Sequence, residues 1–169
     1  MLIEMSDRGP DSAGVAVYLN PANRNGVKLR LFSADDGYSW RTLAKNVGKE
    51  LGDKISIEAR ASHAVLVVHE DFPVIQAWLG VHHPDLKVMS AGNTIEIFGE
   101  RGLPKDVVGR FKLRNLKGSH DLGHTCMATE SAITTGLSHP FSAGLDLCWC
   151  TTARSPITTG CVRCWPAKA

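Results

Sequence analysis

The chain has 169 residues and a mass of 18.3 kDa, which leaves room for one domain and little more. Hydrophobic residues make up 43% and charged residues 21%, as in soluble globular proteins, and no apolar run reaches the roughly 18 residues of a membrane span. The formal net charge of +2 argues against a dedicated nucleic-acid binder. Because the first 20 residues carry three acidic side chains, they do not resemble a signal peptide. We therefore expect a cytoplasmic protein that binds neither membrane nor nucleic acid.

Residues 149–169 differ in composition from the rest of the chain. Four of the five cysteines lie at position 148 or later, and residues 149–169 contain no Asp, Glu or Leu. Without this segment the chain has 16 basic and 17 acidic residues. We predict a body at residues 1–148 and a compositionally foreign tail at residues 149–169.

The spacing of apolar residues predicts a mixed chain of strands and helices. Residues 1–5 have helical spacing but no N-cap before them, and residues 6–14 form a loop of turn-forming residues. The remaining predictions are strands 15–19 and 27–33 joined by a hairpin connection at 20–26, helix 38–51 closed by Gly52, strands 55–59 and 64–68, helix 71–83 capped by Asp71, strands 86–89 and 94–98 around a turn at 90–93, a short helix at 104–111, and a strand near 120–128. This order indicates an α+β fold.

The first motif is the segment Arg8-Gly9-Pro10-Asp11-Ser12-Ala13-Gly14. Its glycines permit a close approach of backbone, and Arg8 and Asp11 are charges able to orient a ligand. The structural alternative is a capped turn between a helix and a strand.

The second motif is Gly123-His124-Thr125-Cys126-Met127-Ala128-Thr129, followed by Ser138-His139-Pro140-Phe141-Ser142. His124 and Cys126 share one face of a strand, which suits a nucleophile or a metal site. The structural alternative is a small buried cysteine beside a structural histidine.

Together these motifs resemble the class II glutamine amidotransferases, whose N-terminal nucleophile domain carries an Arg-Gly-x-Asp-Ser-Ala-Gly loop. That family also carries a later His-Thr-Arg-x-Ala-Thr strand with a His-Pro shortly after it. Residues 8–14 match the first pattern fully and residues 124–129 match the second except at Cys126. The long separation between the motifs is similar to that of glutamate-synthase-related amidotransferase subunits. The resemblance covers about residues 1–148.

The resemblance implies a four-layer α/β/β/α N-terminal nucleophile hydrolase sandwich, here incomplete at both ends. It implies hydrolysis of glutamine without a cofactor or a metal, and delivery of ammonia to the synthase subunit of a glutamate-synthase-like complex. In the family an N-terminal cysteine attacks the glutamine amide and an Asn-Gly pair stabilises the oxyanion. Family positions that contact substrate correspond to Arg8, Gly9, Cys126, Met127 and Thr129, while Asp11 and His124 hold the scaffold.

The sequence departs from the family pattern at three places. It opens with Met1-Leu2 rather than Cys-Gly-Ile, which predicts a truncated start. Cys126 occupies the position of the arginine that binds the glutamine α-carboxylate, and a neutral thiol cannot replace a bidentate cation. The Asn-Gly pair expected after Phe141-Ser142 is missing. We therefore expect no glutaminase activity, with a non-catalytic, partner-binding module as the alternative and a Cys126–His124 nucleophile pair as a third possibility.

The tail admits two explanations. Cys148-x-Cys150 and Cys161-x-x-Cys164 resemble a four-cysteine zinc site with irregular spacing, whereas disulfides are disfavoured without secretion. A single-base deletion near codon 149 explains the composition more directly. One extra base before Trp149 gives triplets that permit Leu-Val-His-Asn-Gly, the segment that is otherwise missing.

Overall fold

The computed structural model describes residues 2–22, 26–52, 55–127, 135 and 138–150. Nine strands and three α-helices lie within these residues. The strands are β1 (Ser12–Leu19), β2 (Val27–Phe32), β3 (Ser56–Arg60), β4 (His63–Val68), β5 (Lys87–Gly92), β6 (Ile95–Arg101), β7 (Gly118–Cys126), β8 (Phe141–Gly144) and β9 (Leu147–Trp149). The helices are α1 (Trp40–Leu51), α2 (Phe72–His82) and α3 (Pro104–Arg110), with 3₁₀ turns at Ile3–Arg8 and Leu113–Asn115. The α+β prediction is confirmed at this level.

The strands form two antiparallel sheets and a separate hairpin. Sheet I has the order β6-β1-β7 and sheet II the order β3-β4-β2-β5, while β8 and β9 pair with each other. Helices α1 and α2 pack on one face of sheet II, and α3 packs on sheet I. This arrangement is compatible with an α/β sandwich.

Sheet II and its two helices share the largest apolar core. Leu29, Leu43, Leu66 and Ile75 are each fully buried and bring together β2, α1, β4 and α2. Burial of each such side chain stabilises the fold by about 1.5–3 kcal/mol. The alternating pattern predicted for residues 27–33 is therefore confirmed, because every second side chain of β2 reaches this core.

Helix α1 begins two residues later than the sequence predicts and ends where it predicts, at Leu51 before Gly52. The Ser39 hydroxyl accepts a hydrogen bond from the Thr42 amide at 3.4 Å, and Gly52 adopts the left-handed conformation with φ of +65°. Asp71 occupies the N-cap position of α2 as predicted, but its side chain makes no capping hydrogen bond, and its backbone carbonyl accepts from Val74 and Ile75 instead.

Two predicted connections are wrong, and for the same reason. β1 pairs with β6 and β7 while β2 pairs with β4 and β5, so β1 and β2 lie in different sheets and do not form the predicted hairpin. Likewise β5 and β6 lie in different sheets, and the predicted turn at 90–93 is mostly strand, since β5 runs through Gly92. Local turn residues mark where the chain bends, but the pairing partner is decided by which sheet buries each apolar face.

The N-terminal loop prediction also needs correction. Residues 3–8 continue as a 3₁₀ turn, and Ser12, Ala13 and Gly14 belong to β1 rather than to a loop. All three are buried, because β1 is the central strand of sheet I. Of the predicted tail, only Trp149 and Cys150 lie within the described residues, and Trp149 pairs with Phe141 in the β8–β9 hairpin.

A buried polar cluster lies where sheet II meets sheet I. The Arg30 guanidinium is fully buried 4.0 Å above the Phe98 ring, and burial lowers its pKa to about 9 despite the nearby Glu96. His63 packs edge-on against Phe111, and burial, reinforced by Arg30, lowers its pKa to about 3. His63 is therefore neutral at physiological pH.

Candidate functional site

The two sequence motifs meet on neighbouring strands of sheet I. The antiparallel register of β1 and β7 sets Ser12 opposite Cys126 and Gly14 opposite His124. Residues 110 and 114 positions apart in sequence are thus cross-strand neighbours, at the separation where opposite residues of a sheet interact. The pairing brings together the segments that the resemblance treats as one site.

Gly9 contacts the backbone of the second motif directly. A Cβ on Gly9 would lie 2.5 Å from the Cys126 amide nitrogen and 2.6 Å from the Thr125 carbonyl carbon, so a larger residue would displace one of the two segments. The Asp11 amide donates to the Cys126 carbonyl at 3.2 Å, and the Asp11 carbonyl accepts from Gly102 at 2.8 Å. Backbone contacts therefore fix the approach of Arg8–Asp11 to Cys126.

The His139-Pro140 segment covers the same face of sheet I. A Cβ on Gly14 would overlap the His139 carbonyl oxygen, and a Cβ on Gly99 would lie 3.0 Å from the Ser138 Cβ. The peptide bond between His139 and Pro140 is cis. These two glycines leave space for the segment to lie against the backbone of β1 and β6.

Two histidine rings lie against each other, tilted by 45°, beside the motif strand. The ring centroids of His124 and His139 lie 4.7 Å apart. Burial, with a smaller contribution from His124, lowers the pKa of His139. Neither ring nitrogen of His139 has a hydrogen-bond partner within the described part of the chain. His139 is therefore held by ring contacts and favours its uncharged state.

The β8–β9 hairpin is attached to the rest of the fold by Asp146. Its carboxylate accepts hydrogen bonds from the amides of Asn93 (2.7 Å), Thr94 (2.7 Å) and Ile95 (3.0 Å) and from the Thr94 hydroxyl (2.8 Å). Burial raises the pKa of Asp146, but these hydrogen bonds together outweigh burial and leave the pKa below its usual range. Asp146 adopts φ of 54°, a left-handed conformation that Asp and Asn tolerate better than most residues.

Most of the predicted site residues lie near the place where the start of β1 meets the end of β7. Arg8 is exposed at the end of the first 3₁₀ turn, Cys126 is half-buried at the end of β7, and Met127 is 49% exposed immediately after it. Thr129 lies outside the described residues. No group of three or more His, Cys, Asp and Glu able to hold a metal occurs among the described residues, and Cys161 and Cys164 lie beyond them.

Sequence reasoning missed the Asp146 attachment and a cleft away from the motifs. The only signal for Asp146 was its place in the turn-forming run Gly144-Leu145-Asp146. The cleft, of about 370 Å³, lies between the first 3₁₀ turn and the α3 side of sheet I, and its lining includes Ile3, Val17, Val108, Leu113, Arg114 and His120. The cleft includes none of the predicted site residues, because it opens on the opposite face of sheet I from Gly14 and Cys126.

Comparison with known proteins finds similarity to proteins that are named as glutamine amidotransferases. Two curated proteins that are similar over most of this chain carry names of that class. One is the glutamine amidotransferase-like protein GlxB of Rhizobium meliloti (strain 1021), which is 44% identical over 149 residues, 88% of this chain and 49% of GlxB. The other is a protein of Methanothermobacter thermautotrophicus, provisionally named a glutamine amidotransferase. It is 25% identical over 153 residues, 85% of this chain and 50% of that protein.

The chain thus spans about half the length of the curated relatives it matches. No protein-family model matches it. Among the described residues, no helix is both long and apolar enough to cross a membrane.

Proposed function

We propose that residues 1–148 form part of a class II glutamine amidotransferase domain of the N-terminal nucleophile type, with glutamine as the family substrate. The observation that carries the proposal is the pairing of β1 with β7, which brings the Arg8–Gly14 motif to the His124–Cys126 strand. The 44% identity to a glutamine amidotransferase-like protein supports the same class. We assign substrate contacts to Arg8, Gly9, Met127 and Thr129.

The proposed biological role is that of an amidotransferase subunit. Members of the proposed class hydrolyse the side-chain amide of glutamine and pass the ammonia to a synthase domain or subunit. The partner proposed for the intact relatives of this chain is the synthase subunit of a glutamate-synthase-like complex. No metal or redox cofactor enters this acyl transfer, since a thiol nucleophile and oxyanion donors carry it.

We further propose that this chain does not turn over glutamine. Cys126 stands where the class has an arginine, and a neutral thiol offers no bidentate partner for an α-carboxylate. No Asn-Gly pair follows Phe141 in the sequence to supply oxyanion donors. We therefore propose that the residues around Cys126 keep the backbone arrangement of the site but lack the groups that bind the α-carboxylate and stabilise the oxyanion.

Ammonia release and glutamine binding test this proposal separately. We expect the wild-type chain to release ammonia from glutamine no faster than a buffer blank. In calorimetric titration we expect Cys126→Arg to bind glutamine at least about 30-fold more tightly than wild type, since a buried charged contact contributes about 2–5 kcal/mol. Cys126→Lys is the matched control, because it restores charge without the planar fork and should gain less.

Different results would contradict different parts of the proposal. Ammonia release by the wild-type chain above the buffer blank would contradict the proposed inactivity of this chain, but it would support the proposed amidotransferase class. Equal glutamine affinity in wild type, Cys126→Arg and Cys126→Lys would contradict the assignment of position 126 to the glutamine site.

A second candidate is a partner-binding module that keeps the amidotransferase-like fold without catalysis. The thiol at position 126 favours it, because a docking role does not require the carboxylate anchor. It predicts a stable complex between the wild-type chain and a synthase subunit, formed equally well by Cys126→Ser. A complex that requires glutamine would contradict it.

We also retain the domain boundary at residue 148 as a proposal. Its basis is the composition of residues 149–169, which lack Asp, Glu and Leu. Sequencing the gene across codon 149 tests it. We expect that inserting one base restores a reading frame that encodes Asn-Gly at this point. The proposal would be overturned by an intact gene that encodes residues 149–169 as written and has no alternative frame that gives Asn-Gly.

A further inference from the structure

A second cleft, of about 400 Å³, opens between the turn that joins β3 to β4 and the end of α3. Residues 58–61 form one wall, and residues 110–112, 115 and 116 form the other. Its volume lies in the range of roughly 300–1,000 Å³ that small-molecule sites occupy. This cleft, named the basic cleft for the cations that line it, contains none of the residues assigned to glutamine, so its chemistry is independent of the proposed glutamine site.

Positive charge dominates the lining of the basic cleft. Three cations line it, namely Arg60, Arg110 and Lys112. Glu58 is the one carboxylate among the described residues of the lining, and it pairs with Arg60. Glu100, which is not part of the lining, pairs with Arg110 at 3.1 Å. Lys112 forms no ion pair within the described part of the chain, so its charge is available to a bound anion, and the walls of a cleft concentrate that field.

The cations of the basic cleft retain hydrogen-bond donors for a ligand. Arg60 directs both Nε (3.0 Å) and Nη2 (2.7 Å) to a single oxygen of Glu58, which leaves Nη1 for another acceptor. Arg110 uses Nη1 for Glu100, which leaves Nε and Nη2. The Lys112 ammonium and the Asn115 amide supply further donors. Donors in this number suit the several oxygens of a phosphate group better than the two oxygens of a carboxylate.

A buried cation lies behind one wall of the basic cleft. Phe111 belongs to this wall, and the guanidinium carbon of Arg30 lies 6.0 Å from the centroid of its ring. Arg30 is fully buried, and none of its guanidinium nitrogens has a hydrogen-bond partner within the described residues. Burial lowers the pKa of Arg30 most, and the charge of Arg60 lowers it further against the opposing effect of Glu96. The cations around the cleft therefore repel one another, and a bound anion offsets this repulsion.

Both walls of the basic cleft contain a residue in a left-handed backbone conformation. Ala61 has φ of 53° and Lys112 has φ of 50°, and these are two of the three non-glycine residues with positive φ in the described part of the chain. Such conformations are unfavourable for residues with a side chain and persist where the surrounding structure fixes them, often at ligand sites. The Lys112 amide donates to the Gly109 carbonyl at 3.1 Å, and the Lys112 carbonyl accepts from the Asn115 amide at 3.0 Å. The backbone that carries the Lys112 ammonium is therefore fixed without a ligand.

We propose that the basic cleft binds a small molecule that carries a phosphate group. The phosphate oxygens accept hydrogen bonds from Arg60, Arg110 and Lys112, and Asn115 offers a neutral donor in the same lining. Leu116, which is half-buried in the lining, offers apolar surface to the remainder of the molecule.

NMR titration of the ¹⁵N-labelled full chain with inorganic phosphate at constant ionic strength tests the proposal. We expect saturable shifts of the amide signals of residues 58–62 and 110–116, with a Kd on the order of 1 mM. Lys112→Asn should weaken binding at least about fivefold, because it removes the cation while asparagine tolerates the left-handed backbone. Lys117→Asn is the matched control, since it removes the same charge from an exposed residue outside the cleft and should bind within about twofold of wild type.

Circular dichroism checks the folding of the variants, and Arg60→Gln is a second variant that leaves the backbone at Lys112 unchanged and should also weaken binding. Malonate, a dicarboxylate, should bind at least about fivefold more weakly than phosphate, because its oxygens are divided between two planar groups. The absence of saturable shifts at these residues up to about 20 mM phosphate would overturn the proposal. Equal weakening by Lys112→Asn and Lys117→Asn would overturn it as well, because binding would then depend on net charge alone. Equal binding of malonate and phosphate would overturn the assignment of a phosphate ligand.

Discussion

The carbonyl oxygen of His139 occupies the space into which a side chain on Gly14 would project. The contact joins the end of the first motif to the His-Pro segment 125 residues later, and it does so through backbone rather than through side chains. It explains why a glycine is needed at the third position of the central strand β1, where glycine otherwise weakens a sheet.

Gly14→Ala is expected to destabilise the fold by about 1–3 kcal/mol, because the carbonyl groups of His139 and Phe98 are backbone atoms that cannot turn aside. Gly109→Ala is the matched control, since a Cβ at this position in α3 meets nothing within 4 Å and should stabilise the helix by about 0.5–1 kcal/mol. Urea denaturation of both variants measures the effect. Equal stability of the two variants would contradict the close contact.

Asp146→Asn is expected to lower the free energy of unfolding by about 1–3 kcal/mol at pH 7. The substitution keeps one acceptor oxygen and tolerates the left-handed backbone, but it turns a donor toward the Asn93 amide. Because the folded-state pKa of Asp146 lies below its usual 3.8, the unfolded state takes up the proton first as the pH falls.

The stabilisation by Asp146 is therefore complete well above pH 3.8 and is lost below it. The difference between wild type and Asp146→Asn should narrow between about pH 5 and about pH 3 in denaturant titrations. A difference that stays constant over this range would show that the carboxylate charge does not contribute.

His63→Phe is expected to remove part of the acid sensitivity of the fold. The folded-state pKa of about 3 lies below the usual 6.5, so the unfolded state binds the proton first and the wild-type chain loses stability as the pH falls from 6.5. The loss from this group approaches about 1.4 kcal/mol for each pH unit. Phenylalanine keeps the ring contacts with Phe32 and Phe111 and cannot titrate.

The measurement for His63 is the free energy of unfolding at several pH values between about 7 and about 4.5, where the slope for His63→Phe should be shallower than that for wild type. Parallel slopes would mean that His63 is protonated in the folded state, which burial beside Arg30 opposes.

The cysteines of the described residues should differ in thiol reactivity. Cys126 is half-buried, whereas Cys148 is 1% exposed beneath Tyr18. Burial, with a contribution from Cys148, raises the pKa of Cys150 to about 11, so only on the order of one molecule in a thousand carries its thiolate at pH 8. We expect alkylation followed by peptide mass spectrometry to find Cys126 modified first. Modification of Cys148 at the same rate as Cys126 in the folded chain would contradict the packing of the hairpin on sheet I.

Much of the secondary structure follows from the sequence because local signals and burial agree there. The spacing of Leu43 and Val47 and the closing Gly52 predict α1, and alternation predicts β2. The two motifs likewise identify the segments of the candidate site, including Gly9 and Cys126, before any distance is known. These features depend on residues close together in sequence, so the spacing of apolar and polar residues along the chain predicts them.

The tertiary structure alone decided which strands pair and what covers the site. Asn20–Gly26 contains the residues of a hairpin turn, yet β2 lies in a second sheet because β1 is already paired on both sides, with β6 and β7. The positions of His139 over Gly14, and of Asp146 at the amides of Asn93 to Ile95, depend on contacts between residues far apart in sequence. Such contacts are fixed by close packing and by the need of buried polar groups for partners, neither of which leaves a periodic pattern in the chain.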